Sequence, residues 1–388
     1  MKLPTWPHFD SQQIQAATSV LLSGQVNYWT GNQVKSFECE FSNYVGNSYS
    51  IALANGSLAL SSAYLAIGLG RGDEFITTPR TFIATASSGV LLGARPVFAD
   101  VDPLSGAITA STIEPLITNN TKAIVVVHLG GWPADMLSIL DLAKSHNIPV
   151  VEDCSQAHGA CINGQMVGSF GDVSVWSFCQ DKIITTAGEG GMVSTSHLEY
   201  WDAMWSFKDH GKSYSAVSDP SQSPGFRWVH ESFGSNFRLT ELQAAIGRIQ
   251  LQRLPEWTRV RTRNALLLAE ALNNLPAVRV PLPPEHLTHA WYKFYAFVQP
   301  EALAAGWTRD RIVSEISSLG YPAFSGSCSE IYLEKCFQNS AFTPSRRLPV
   351  ARVLGETSLM FLIHPSITSQ QMSDYAQIVR SVVKQACR

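Results

Sequence analysis

At 388 residues the chain is long enough for one large domain with an appendage, or for two or three domains. Apolar residues make up 45% and charged residues 15%, which suits a well-buried globular chain and argues against a disordered one. The net charge of -3, with no basic run, speaks against a nucleic-acid partner, and no stretch is apolar and long enough to span a bilayer.

The first residues lack the apolar core of a secretion signal. The seven cysteines are scattered and show no C-x-x-C pairing. That predicts reduced thiols in the cytoplasm, with neither a zinc site nor a disulfide framework.

Residues 10–45 carry helical spacing: Ile14, Ala17, Val20 and Leu21, then Val34, Phe37 and Phe41. From Tyr49 a short strand runs into a turn at Asn55, Gly56 and Ser57, and an Ala/Leu-rich helix comes next. Backbone N–H groups at such a helix start favour an anion, and Ser57 adds a donor. An ordinary helix cap at Ser57 would read the same. Strands are expected at Glu74–Pro79, Val97–Asp102, Ala123–His128 and Pro149–Asp153, with helices between them. This alternation predicts an α/β fold with a mostly parallel sheet. Ligands of such sheets lie beyond the carboxyl ends of the strands. Ser57, Phe82, His128, Asp153 and Ser177 all fall at or just past those ends.

Asp153 closes an apolar strand. A carboxylate at that depth needs a helix N-terminus or a cation as its partner. His158 reads as a hydrogen-bonded histidine near the core. Lys182 comes after the strand Val173–Ser177 and precedes Gly188, Gly190 and Gly191. Glycines allow close approach of backbone to a ligand. A lysine in a dry setting can lose its proton and attack a carbonyl; a solvated loop lysine is the plain alternative. Residues 205–233 read as a long irregular polar segment. Thr240 with Gln243 has capping-box spacing at the start of a strong helix. Pro281, Pro283 and Pro284 mark a change of character, and the chain beyond them reads as a smaller α+β unit. The expected division is a large domain over 1–255 and a small one over 256–388.

Five stretches together resemble the DegT/DnrJ/EryC1/StrS sugar aminotransferases, over nearly the whole chain. They begin at Asn55, Thr78, Glu152, Ser177 and Gly234, in family order. The resemblance implies the pyridoxal phosphate (PLP)-dependent transferase fold type I, like aspartate aminotransferase. It implies that Lys182 binds PLP covalently and shuttles the proton, and that Asp153 pairs with the pyridinium nitrogen. Phe82 would stack on the ring, with Gln156 beside its phenolic oxygen. Gly56, Ser57 and Ser177 would hold the phosphate. Asn236 would reach the phosphate of a neighbouring subunit, so a homodimer with shared active sites is implied. The expected reaction moves an amino group from glutamate to a keto group of a nucleotide-linked sugar, in surface-polysaccharide (such as O-antigen) or glycoside synthesis.

Two departures stand out. Cys179, Gln180 and Asp181 before the lysine are less usual, and the small-domain stretch Gly320–Tyr332 lacks the family's His-Tyr-Pro pattern. A sugar dehydratase on the same fold would carry histidine in place of Lys182. A non-catalytic regulator would bind no chromophore. A nicotinamide dehydrogenase would need a G-x-G-x-x-G after the first strand, and none is present.

Overall fold

The computed structural model describes residues 3–219, 226–338 and 340–388. Seven strands form the central sheet: β1 (Tyr49–Leu53), β2 (Glu74–Thr77), β3 (Arg95–Phe98), β4 (Thr121–Val127), β5 (Val150–Asp153), β6 (Val173–Ser177) and β7 (Gly191–Thr195). Their order is β1-β7-β6-β5-β4-β2-β3. β7 runs antiparallel to both neighbours, and every other pairing is parallel. Strands β5, β6 and β7 are buried along their whole length. Helices packed on both faces account for this, and for the near-continuous apolar runs in the sequence.

Glu152 and Asp153 are adjacent in β5, so they point to opposite faces. Glu152 is satisfied within the protein. It accepts from the backbone N–H of Gly168, Phe170 and Gly171 at 2.8, 2.8 and 2.6 Å, and from His128 Nε2 at 3.0 Å. His128, expected at the ligand-facing rim, is therefore committed to this network. Its Nδ1 accepts from Ala134 N at 3.0 Å.

A smaller sheet, β8 (Val278–Arg279), β9 (Phe294–Val298) and β10 (Ser358–Phe361), packs with the helices Arg309–Ser318 and Ser369–Ala386. The helix Glu241–Leu272 joins the two cores. It opens with the expected capping box at Thr240 and Gln243, and it runs on through Pro255. Ala244, Leu251 and Leu254 join the large core; Ala265, Leu268, Ala269 and Leu272 join the smaller one.

The stretch read as irregular is partly helical, over Leu198–Lys208 and Tyr214–Ser218; residues 220–225 lie outside the described residues. Lys208 is buried there, with its ammonium 3.8 Å from the Tyr28 ring centroid. No helix among the described residues is long and apolar enough to cross a membrane. All seven cysteines are unpaired.

Candidate active site

The strand reversal at β7 shapes the site. β6 leaves the sheet at its carboxyl rim, and β7 re-enters from that same rim. The loop between them, 178–190, must therefore cross above the strand ends, and it carries Lys182. The loop is tied down at several points. Phe178 N donates to Gly190 O at 2.8 Å, and Thr185 N donates to Gln250 Oε1 at 2.7 Å. Ile183 and Ile184 are buried beneath it. Ala187 at φ 65° and Gly188 at φ 126° supply the turn back into β7. Trp6 Nε1 donates to Lys182 O at 2.8 Å, so the N-terminal segment also braces the lysine.

A cavity of about 850 Å³ opens at this rim. Gly56, Ser57, Phe82, Asp153, Gln156, Ser177 and Lys182 all line it. Asn236 does not; it is exposed, and bridges Asp209.

The helix Gly56–Ala66 starts against Ser177. A Cβ on Gly56 would lie 2.8 Å from Ser177 Cβ, and one on Gly191 would lie 2.4 Å from Asn55 O. Glycine at both positions brings the helix start over the ends of β6 and β7. The cap is Asn55, whose side chain accepts from Leu58 N at 2.9 Å. Ser57 is thus released from capping, and it is exposed at the first turn. Because Asn55 O is fixed backbone, Gly191→Ala is expected to cost roughly 1–3 kcal/mol of stability, the range of an overpacked core. A denaturant titration of both proteins would measure it.

Asp153 is 5% exposed. Thr85 Oγ1 donates to its Oδ2 at 2.9 Å, and Ser155 N donates to its Oδ1 at 3.1 Å. Both donors are neutral, and no ion pair among the described residues reaches this carboxyl. Phe82, in the same cavity wall, is 66% exposed. A large ring left bare inside a cleft is an unused stacking surface. Gln156 Oε1 accepts from Gly130 N at 2.8 Å, which fixes the side chain in the wall.

His158 departs from expectation. It is fully buried among Trp176 and Phe178, and neither ring nitrogen has a hydrogen-bond partner. Burial, with Lys182 and Arg261 nearby, pushes it down to about 3, so it is a neutral packing ring at any ordinary pH.

Sequence reasoning missed the far wall. Tyr292 donates its hydroxyl to Asp181, and Lys293 lies 3.7 Å from the same carboxylate. Burial works to raise Asp181. The Tyr292 hydrogen bond and the ammonium groups of Lys182 and Lys293 outweigh it, and they hold the carboxyl below its ordinary range. The stretch from Ser325 to Tyr332 contributes to the cavity wall. Ile331 N donates to Pro79 O at 2.9 Å, and buried Arg80 donates to Ser329 Oγ at 3.1 Å. These bonds put Gly326, Ser327, Cys328 and Ile331 into the cavity wall. Two departures in the sequence hinted at this wall: the residues before Lys182 and the stretch Gly320–Tyr332.

Known proteins share this fold and sequence pattern. The aminotransferase from Psychrobacter cryohalolentis has 52% identical residues and a TM-score of 0.96, with 98% of each chain covered. The S. venezuelae protein DesV, solved in complex with a ketimine intermediate, has 28% identity and a TM-score of 0.85 over 96% of this chain and 94% of its own. A UDP-N-acetyl-3-dehydro-alpha-D-glucosamine 3-aminotransferase of Acidithiobacillus ferrooxidans is 36% identical over 90% of this chain and 88% of its own length. The model of the DegT/DnrJ/EryC1/StrS aminotransferase family matches residues 7–381. The chain belongs to that family and is an aminotransferase.

Proposed function

We propose that the chain uses pyridoxal phosphate to move an amino group from glutamate to a keto group of a nucleotide-linked sugar. One observation carries the reading: Lys182 and the buried Asp153, which has only neutral donors, line a single cavity with a bare Phe82. The residues fit the cofactor. Asp153 suits a protonated ring nitrogen, since it lacks a cation of its own. Phe82 offers a face for the ring. The helix start at Gly56, with the Ser57 and Ser177 hydroxyls, suits a phosphate. When bound, pyridoxal phosphate supplies an aldehyde and an electron sink.

The protein's own side chains do the rest. Lys182 Nζ takes a proton from the donor's α-carbon and returns one to the sugar carbon that receives nitrogen. Asp153 keeps its charge buried and fixed. The Ser325–Tyr332 stretch narrows the entrance and limits water. Asn236 belongs, in this reading, to a partner's site. Support comes from its exposure outside its own cavity, and from Trp228 and Phe233, which are exposed in the same stretch of chain. Large exposed aromatics of this kind suit a homodimer contact. The unpaired cysteines favour a cytoplasmic setting. The UDP-sugar aminotransferase among the relatives favours a nucleotide-linked acceptor.

The test is a panel of UDP-, GDP- and dTDP-linked keto-sugars, incubated with glutamate and the purified protein. Expected is an amino-sugar formed in step with 2-oxoglutarate. Failure to aminate any of them, with cofactor fully loaded, would refute the acceptor class.

A further inference from the structure

The catalytic cavity is poor in cations. Among the described residues lining it, the only lysines are Lys182 and Lys293, and there is no arginine or histidine. Asp153, Asp181, Glu189 and Glu334 put four carboxyl groups in the same lining. A dicarboxylate donor that enters such a cleft needs a positive partner for each carboxylate it desolvates. Lys182 is committed to the cofactor link and the proton transfer. Lys293 is what this subunit has left.

Lys293 is positioned by a strained backbone. Trp291 sits at φ 51°, a region bulky residues rarely adopt. Its N–H donates to His289 Nδ1 at 2.7 Å. Arg261 donates to the carbonyls of Trp291 and Tyr292 at 3.2 and 3.4 Å, and Tyr292 N donates to Gly130 O at 3.0 Å. Held in this way, Tyr292 and Lys293 both face the cavity. The two lysine ammonium groups lie over the same Tyr292 ring, 5.1 and 4.6 Å from its centroid. The Lys293 ammonium contacts Asp181 at 3.7 Å, and Asp181 already accepts from Tyr292. At that distance the Lys293–Asp181 contact is an ion pair rather than a hydrogen bond, and the ammonium keeps N–H donors for a ligand.

Behind Lys293 lies a second chamber of about 660 Å³, walled by Leu3–Trp6 and the small domain. It shares Asp181, Tyr292, Lys293, Phe324 and Leu362 with the catalytic cavity. Two deeply buried nitrogens in its lining have no partner: Arg261 Nε, on a residue 1% exposed, and His364 Nδ1, on a residue 5% exposed. Arg261 Nη1 is bonded to backbone carbonyls, but its Nε and His364 Nδ1 are left as polar atoms that a bound polar ligand would satisfy.

We propose that Lys293 selects the amino donor: its ammonium receives the donor's distal carboxylate, and the chamber behind it, with Arg261 and His364, admits that end of the molecule. This rests on the reading of Lys182 as the amine that exchanges with the donor. It adds a reason for a dicarboxylate rather than a neutral amino acid.

The experiment uses cofactor-loaded protein and two unreactive probes, glutarate and butyrate, titrated calorimetrically into wild type, Lys293→Met and Lys293→Arg. Lys293→Met is expected to weaken glutarate about 10- to 100-fold, the effect of one lost charged hydrogen bond. Butyrate should change far less, and Lys293→Arg should recover most of the loss. The preference for glutamate over alanine in converting the cofactor should fall in parallel. Glutarate binding within twofold of wild type, in a Lys293→Met protein that keeps its cofactor absorbance, would overturn the proposal. If that variant does not retain cofactor, Lys293→Gln is read in the same way. Wild-type protein that aminates no keto-sugar, yet binds glutarate through Lys293, would overturn only the acceptor reading.

Discussion

Lys182→Ala is expected to lower turnover by at least about 10³-fold and to abolish the near-visible absorbance of protein-linked cofactor. Two contributions are lost together. The primary amine that forms the covalent link disappears. So does the only lysine on the loop above the strand ends, where the proton must move; positioned proton transfer is worth roughly 10²- to 10⁴-fold by itself. The surrounding loop should survive, because Ile183, Ile184, Thr185 and Gln250 anchor it without the side chain. Absorbance spectra and single-turnover rates with glutamate would measure the effect, and partial rescue by added methylamine would separate lost chemistry from lost structure. Normal turnover in this variant would end the assignment of Lys182.

Asp153→Ala is the second large effect. Breaking one side of a buried charge pair costs about 3–5 kcal/mol, or roughly 10²- to 4 × 10³-fold in affinity. Cofactor affinity should fall by that factor, and the cofactor that does bind should be a poorer electron sink. Asp153→Asn is the sharper probe. It retains an oxygen for Thr85 Oγ1 or Ser155 N, which donate at 2.9 and 3.1 Å, but loses the charge. Its shortfall against wild type reports the charge alone. Fluorescence titration with pyridoxal phosphate would give the affinities. An unchanged value for Asp153→Ala would remove the ring-nitrogen role from this residue.

The strand and helix order was readable because fully buried parallel strands leave unmistakable β-branched runs, as in β4 and β5. The ligand rim was readable too, since the strand ends carry the polar residues. The capping detail was not. Ser57 was the obvious hydroxyl, but the backbone turn puts Asn55 at the cap and frees Ser57. His158 looked like a residue needing a partner, and is instead packed dry between rings. The Tyr292–Lys293 wall was hidden because it lies more than a hundred positions from Lys182. Local periodicity carries no information about such a meeting. Nor does any residue type announce that Trp291 will be left-handed, where its N–H donates to His289 and its carbonyl accepts from Arg261.

The helix Glu241–Leu272 has an engineering consequence. At 1.5 Å per residue its 32 residues extend about 48 Å. One end grips the lysine loop through Gln243 and Gln250, and Arg261 farther along sets the carbonyls that precede Lys293. The loop bearing the reactive amine and the wall facing it are thus mounted on one strut. A chimaera that exchanges carboxyl-terminal halves between relatives will keep the two in register only when this strut comes from a single parent. Crossovers placed after Leu272 should give active hybrids, whereas those placed within the rod should misalign the opposing walls.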